Sequence, residues 1–281
     1  LHQVSHTPIG IYSAGLGQKR VCRITVANIQ SIFRAPAAIP KIGMLIIDEA
    51  HLVPDEGNGQ YRQFINALLL RNENLLVVGF TATPFRLKQG TLTEGEGRVF
   101  TDIVHDVALS SLLEQGYLSP LVGKRSQESI EVSSLRVSNG EYVLQSAEAE
   151  FDKITAKAVE EMARLARDKK HWLVFCSGVE HSQHVCSALR ALGIQAETIL
   201  GDMDELQRER VVHRFEKGEV RALVSCDVLT TGFDSPQVDM IALLRSTLST
   251  SLYVQMLGRG MRKSPGKSSC LVLDYGGNLE R

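Results

Sequence analysis

No apolar run in this chain approaches the roughly 18 residues that a membrane span needs, and no basic stretch leads into an apolar signal core at the N-terminus. Neither a membrane-spanning helix nor export is therefore expected. Net charge is lacking too: 31 basic and 32 acidic side chains leave a formal −1. No global basic field marks a nucleic-acid binder, so any such affinity must be local. The five cysteines, at 22, 176, 186, 226 and 270, form no CxxC pair and are odd in number. That usage excludes a zinc ribbon and a disulfide scaffold and suits reduced thiols in a cytoplasm. Internal repeats and low-complexity tracts are absent. So is any match to GxxxxGK[ST], the loop whose backbone N–H groups and lysine cradle phosphates, because Gly15-Leu-Gly17 and Gly57-Asn-Gly59 lead to no third glycine with a lysine.

What remains is a chain of 281 residues, long enough for two domains at about 150 residues each. Short runs rich in β-branched residues alternate with segments of helical period, the pattern of a parallel α/β sheet. The expected strands are Val21–Thr25, Met44–Ile47, Leu75–Phe80, Trp172–Phe175, Ala196–Ile199, Ala222–Ser225, Met240–Leu243 and Cys270–Leu273. Val185, Leu189 and Leu192 mark one face of a helix from Val179 that Gly193 stops, and Asp204 caps another ending at Gly218. Residues 121–150, rich in Ser and Gly, break the rhythm and read as a connector between a unit at 1–120 and one at 151–281.

Charge departs from balance in one window. From Met240 to Leu273 there is no Asp or Glu, while Arg245, Arg259, Arg262, Lys263 and Lys267 contribute +5. The window reads either as a local anion site or as a solvated basic rim.

Candidate chemistry lies at strand ends, where open α/β sheets bind ligands. Met44-Leu-Ile-Ile47 runs into Asp48-Glu49-Ala50-His51. The aspartate can hold Mg²⁺ or its water, the glutamate can activate an attacking water, and His51 is placed to report nucleotide state. An acidic strand end with a helix cap is the plainer alternative. Thr81-Ala-Thr83-Pro84 follows the next strand, and its two hydroxyls can hydrogen-bond Asp48 or His51, or simply make a turn. In the second unit, Thr230 and Thr231 can donate to phosphates, Gly232 permits close backbone approach, and Asp234 can accept from a hydroxyl or hold an arginine. Gln255 to Arg262 carries arginines at i and i+3, a pair suited to gripping polyphosphate or to a plain solvated helix face. His181, His184 and Cys186 have metal-like spacing on a face that reads as solvated, and Trp172 reads as core.

Taken in order, these segments resemble motifs II, III, V and VI of DEAH-box helicases of superfamily 2. Leu173-Val-Phe-Cys-Ser-Gly178 is similar to motif IV and Ile24-Thr-Val-Ala-Asn-Ile-Gln-Ser31 to motif Ib. The strings Thr81-Ala-Thr-Pro-Phe-Arg-Leu87, Val228-Leu-Thr-Thr-Gly-Phe-Asp234 and Leu271-Val-Leu-Asp-Tyr-Gly-Gly-Asn278 most resemble the bacterial RadD (YejH) DNA-repair helicases.

The resemblance implies two RecA-like, P-loop NTPase-type domains with parallel sheets, ATP and Mg²⁺ in the cleft between them, and single-stranded or branched DNA across both. It makes Asp48 and Glu49 the Mg²⁺ and water-activating pair, and Arg259 and Arg262 the arginine fingers. His51, Thr81, Thr83, Gly232, Asp234 and Gln255 become nucleotide-coupling residues. Nucleic acid would meet Asn28, Gln30, Ser31, Ser177, Gly178, Thr230 and Thr231, with Asn28 standing where the family has a small hydroxyl residue. In the family the phosphate loop precedes motif Ib. The expectation is therefore a helicase or translocase whose first domain is incomplete at its N-terminus and whose 281 residues alone hydrolyse little ATP. A non-unwinding motor and a non-hydrolysing nucleic-acid-binding relic are the alternatives. DNA-repair proteins are the implied partners, and the cytoplasm the implied compartment.

Overall fold

The computed structural model describes residues 7–54, 57, 59–86, 90–138, 141–226 and 233–278. The chain divides into two compact units, Leu1–Asp106 and Val107–Arg281.

In the first unit, β1 (Ile9–Ser13) pairs in parallel with β2 (Ile24–Ala27), and β3 (Met44–Ile47) with β4 (Leu76–Gly79), Ile47 lying opposite Gly79. β2 starts later than its apolar run suggests. The Thr25 hydroxyl donates to the Cys22 carbonyl and accepts from the Cys22 N–H, so residues 22–25 close a local turn first. The helix α1 (Gln60–Leu69) buries Phe64, Ile65 and Leu68. The opposite sheet face leaves Ile24, Val26, Met44, Ile46 and Leu76 about half exposed.

The second unit is a six-stranded parallel sheet. Its strands are β5 (Leu121–Arg125), β6 (Trp172–Cys176), β7 (Ala196–Ile199), β8 (Ala222–Ser225), β9 (Met240–Leu244) and β10 (Cys270–Asp274), in spatial order β7-β8-β6-β9-β10-β5. Alternation along β6 splits the core in two. Trp172, Val174 and Cys176 pack against α2 (Leu144–Leu165) and α3 (Val179–Ala191). Leu173 and Phe175 pack with Phe215 of α4 (Glu205–Glu216) and Met256 of α5 (Thr250–Met261). Asp204 caps α4 by accepting from Gln207 N–H at 2.8 Å. Trp172 is buried beneath the Arg221 guanidinium, 4.6 Å from the ring.

Two expectations need correction. Residues 121–150 are not a free connector: they open with β5, hydrogen-bonded to β10, and end in α2, which begins at Leu144. The second unit also starts earlier, at Val107. β5 escapes a pattern reading because an edge strand with Gly123 and Lys124 lacks the apolar run of a central one.

Gly260 of α5 lies where helix meets sheet. A Cβ there would stand 2.5 Å from Cys270 Sγ and 2.8 Å from Ile241 Cδ1, whereas one at Gly258 would meet nothing within 4 Å. Gly260→Ala is therefore expected to cost about 1–3 kcal/mol by overpacking. Gly258→Ala should stabilise by up to about 1 kcal/mol through helix propensity. Urea unfolding of the two variants checks this, and equal shifts would refute the packing argument.

Candidate active site

In the first unit the chemistry is assembled by a strained turn. Glu49, directly after Asp48, has φ 50° and ψ 51°, the one left-handed non-glycine residue among those described. Such a conformation costs on the order of 1–2 kcal/mol. It is held from both sides, since Phe80 N–H donates to Ile47 O at 2.8 Å and Ala50 N–H to Phe80 O at 2.9 Å. Gly79 lets the turn close, because a Cβ there would lie 2.6 Å from Phe100 Cε1 and 2.7 Å from Ala50 Cβ.

The turn leaves the Asp48 carboxylate exposed and brings His51 to Thr81. His51 Nδ1 lies 2.9 Å from Thr81 Oγ1 and 3.4 Å from Glu49 Oε2. One proton arrangement satisfies the group: Nδ1–H donates, Thr81 O–H donates to the Thr83 carbonyl, and Thr81 Oγ1 accepts from Thr83 N–H at 3.1 Å. Thr83 is itself buried, so the link from the acidic turn to the next strand runs through Thr81.

Asp48 accepts from Glu49 N–H at 3.0 Å and, after burial, is the second cause raising the Tyr61 phenol pKa. Its hard oxygens suit Mg²⁺. Asp48, Asn28 and Gln30 line one cavity of about 540 Å³, with Tyr61 and Leu52. Asn28 also caps a helical turn by accepting from Gln30 N–H at 2.9 Å, and Ser31 Oγ accepts from Ala14 N–H at 2.9 Å, so these side chains already have local structural work.

In the second unit the arginines converge on a backbone carbonyl. Arg259 Nη1 donates to Phe233 O at 2.6 Å, Arg262 Nη1 to the same oxygen at 3.0 Å, and Arg262 Nη1 to Asp234 Oδ1 at 2.5 Å. Asp234 thus holds an arginine, one of its two expected roles. The i, i+3 face needs correction, because α5 ends at Met261 and Arg262 is extended, with φ −67° and ψ 140°. Convergence comes from their shared acceptor rather than from helical spacing. Gln255 lies on α5 and donates to Ser251 Oγ at 3.4 Å. Thr230, Thr231 and Gly232 fall outside the described residues.

Both ends of α5 are pinned. Ser249 caps its start by accepting from Leu252 N–H at 3.2 Å. At its end, Ser119 N–H donates to Met261 O at 2.6 Å, and Lys267 Nζ donates to Gly260 O at 2.7 Å and Arg262 O at 2.8 Å. Burial lowers the Lys267 pKa. Part of the acid-free window's charge therefore neutralises a helix C-terminus instead of facing solvent.

After β6, Ser177 is buried with its hydroxyl 3.1 Å from His181 Nδ1, while His181 Nε2 is 3.1 Å from Thr155 Oγ1. At Gly178 an added side chain would collide with the Glu148 carboxylate, so this glycine lets Glu148 pack directly against the backbone. His181 and Cys186 are buried, contrary to the solvated face expected, and His184 alone is exposed, 3.1 Å from Asp152. Among the described residues no three His, Cys, Asp or Glu side chains gather as a metal cluster.

Comparison with known proteins agrees with this layout. The helicase conserved C-terminal domain model matches residues 154–264, and the model of the type III restriction enzyme res subunit matches 3–86. A protein of Schizosaccharomyces pombe named as a mitochondrial ATP-dependent helicase, irc3, is 32% identical over 247 residues, 85% of this chain and 39% of that protein. The chain thus spans about two fifths of that relative's length. In fold it is similar to a fragment described as an HsdR subunit of a type I restriction enzyme from Vibrio vulnificus, with TM-score 0.70 and 22% identity over 95% of this chain and 50% of the other. It also resembles the ATP-dependent Type ISP restriction-modification enzyme LlaBIII bound to DNA, with TM-score 0.61 and 17% identity over 93% of this chain and 20% of the other.

His181 supplies a pH test of the second unit. Burial drives its pKa from the ordinary 6.5 to about 4. Between those values the unfolded chain binds a proton that the folded one excludes. Stability therefore falls as pH drops through that window, by on the order of 3 kcal/mol in all. His181→Asn should flatten this part of the profile when urea unfolding is followed by circular dichroism from pH 7 to 4.5. An unchanged slope would show that the imidazole is not held neutral.

Proposed function

Because the chain belongs to helicase superfamily 2, we propose that it is the motor region of an ATP-dependent helicase or translocase acting on DNA. The observation that carries the reading is the Asp48–Glu49 turn with its His51–Thr81 link at the C-terminal ends of β3 and β4. An exposed aspartate, a glutamate one residue on and a histidine reaching the next strand are the parts that nucleotide hydrolysis needs on its metal and water side. Asp48 would hold Mg²⁺, whose charge would polarise the phosphates, while Glu49 orients and deprotonates water. In the second unit, Arg259 and Arg262 would neutralise charge developing on the transferred phosphate. His51, Thr81, Thr83, Gly232, Asp234 and Gln255 would couple nucleotide state to Asn28, Gln30, Ser31, Ser177, Gly178, Thr230 and Thr231 on the DNA.

DNA is favoured over RNA because the family model over residues 3–86 is that of the type III restriction enzyme res subunit. The strings that resemble RadD support a place in DNA repair. An odd number of cysteines, five, with no CxxC pair suits a reducing compartment such as the cytoplasm.

ATP turnover with Mg²⁺ and single-stranded DNA tests the assignment on the protein joined to a GxxxxGK[ST] loop. Glu49→Gln should lower turnover by about 10²–10⁴-fold and Arg262→Ala by about 10³-fold or more. EDTA should abolish it, and the 281 residues alone should turn over little ATP. Near-normal turnover in Arg262→Ala would remove the finger role. Unwinding of RNA but not DNA duplexes would reverse the substrate.

A further inference from the structure

The arginine-bearing helix starts from a loop with few apolar anchors. Residues Ser246, Thr247, Leu248 and Ser249 lead from β9 into α5, three of the four with hydroxyl side chains. Hydrogen bonds rather than packing must set such a loop's shape. Two come from a single carboxylate outside it. Glu141, from the short antiparallel pair Val137–Ser138 with Glu141–Tyr142, accepts from Thr247 Oγ1 at 2.6 Å through one oxygen and from Leu248 N–H at 2.9 Å through the other. Thr247 Oγ1 accepts in turn from Ser249 N–H at 2.9 Å, and Ser249 Oγ caps α5. From the other side, Asn278 Oδ1 accepts from Thr247 N–H at 3.0 Å, while Asn278 Nδ2 donates to Arg245 O and Asp274 Oδ1.

We propose that Glu141 is a positioning residue for α5: by fixing the loop from which the helix starts, it sets where Arg259 and Arg262 present their guanidinium groups. The significance of those arginines rests on the nucleotide role proposed above; the positioning itself does not. α5 is one rigid rod from Thr250 to Met261, so a shift or rotation at its first turn is carried to Arg259. Ser119 and Lys267 restrain the far end through backbone carbonyls. Packing of Met256 and Gly260 against the sheet holds the middle and far end of the helix, and the Glu141–Thr247–Ser249 chain holds its start. Charge on Glu141 strengthens these bonds; in glutamine the amide oxygen can still accept from Leu248 N–H, and the NH2 can donate to Thr247 Oγ1, which then accepts where it had donated.

The test is NMR on the full 281-residue chain. Glu141→Ala should speed amide exchange at Leu248 and Ser249 by about tenfold or more, and should shift the Nε–Hε resonances of Arg259 and Arg262. Exchange in Trp172–Cys176 should stay unchanged. Glu141→Gln should restore both signatures, a rescue that a role resting on the carboxylate charge alone would not allow. Unmoved arginine signals in Glu141→Ala would overturn the proposal, leaving Glu141 a staple of its own hairpin. Uniform acceleration that includes Trp172–Cys176 would overturn it as well. Titration of the protein joined to a GxxxxGK[ST] loop with a fluorescent methylanthraniloyl-ATP and Mg²⁺ separates the two readings: absence of binding there would sink the nucleotide role and leave the positioning result standing.

Discussion

A parallel sheet packed on both faces has its side chains committed to the core, so chemistry is confined to the loops beyond the strand ends. In the second unit every residue of β6, β8, β9 and β10 is buried. Cys176, Leu244 and Asp274 therefore hand over to loops on a common edge, where Ser177, Ser246, Thr247 and Asn278 are buried polar side chains. Phe233 O illustrates the result: one main-chain oxygen gathers both arginines.

That edge is ordered by hydrogen bonds of long sequence reach. Asp274 holds Gly276 N–H and Asn278, Asn278 holds Arg245 and Thr247, and Ser246 donates to Gly276 O. A side chain at Gly276 would stand 2.2 Å from Arg245 O, so the turn after β10 and the loop after β9 interlock without intervening bulk. Buried polar networks of this kind tolerate no half-satisfied member. The first unit uses a smaller device for the same end, a left-handed residue bracketed by two backbone bonds.

The parts legible in the sequence are those whose cause is local. β3, β7 and β8 stand where their apolar runs put them, Asp204 caps α4, and Asp48, Glu49, His51 and Thr81 sit at strand ends because the strands before them are evident. The features that escaped depend on distant partners. β5 becomes a strand only beside β10, and Glu141 bonds residues more than a hundred positions away. The acceptor that unites the arginines is a carbonyl, a group every residue has and no pattern can flag. Lys267 read only as one charge of a basic window, anion site or solvated rim, because its bonds to the carbonyls of Gly260 and Arg262 follow from where the helix ends and not from residue type.

Trp172, the one tryptophan in the chain, lies at the start of β6 with its ring fully buried and its Nε1–H donating to Lys169 O at 3.0 Å. Its indole emission consequently comes from the second unit alone, and the first contributes only tyrosine. Excitation at the red edge of protein absorbance thus watches one unit while the other stays dark, an optical label that the fold itself has placed.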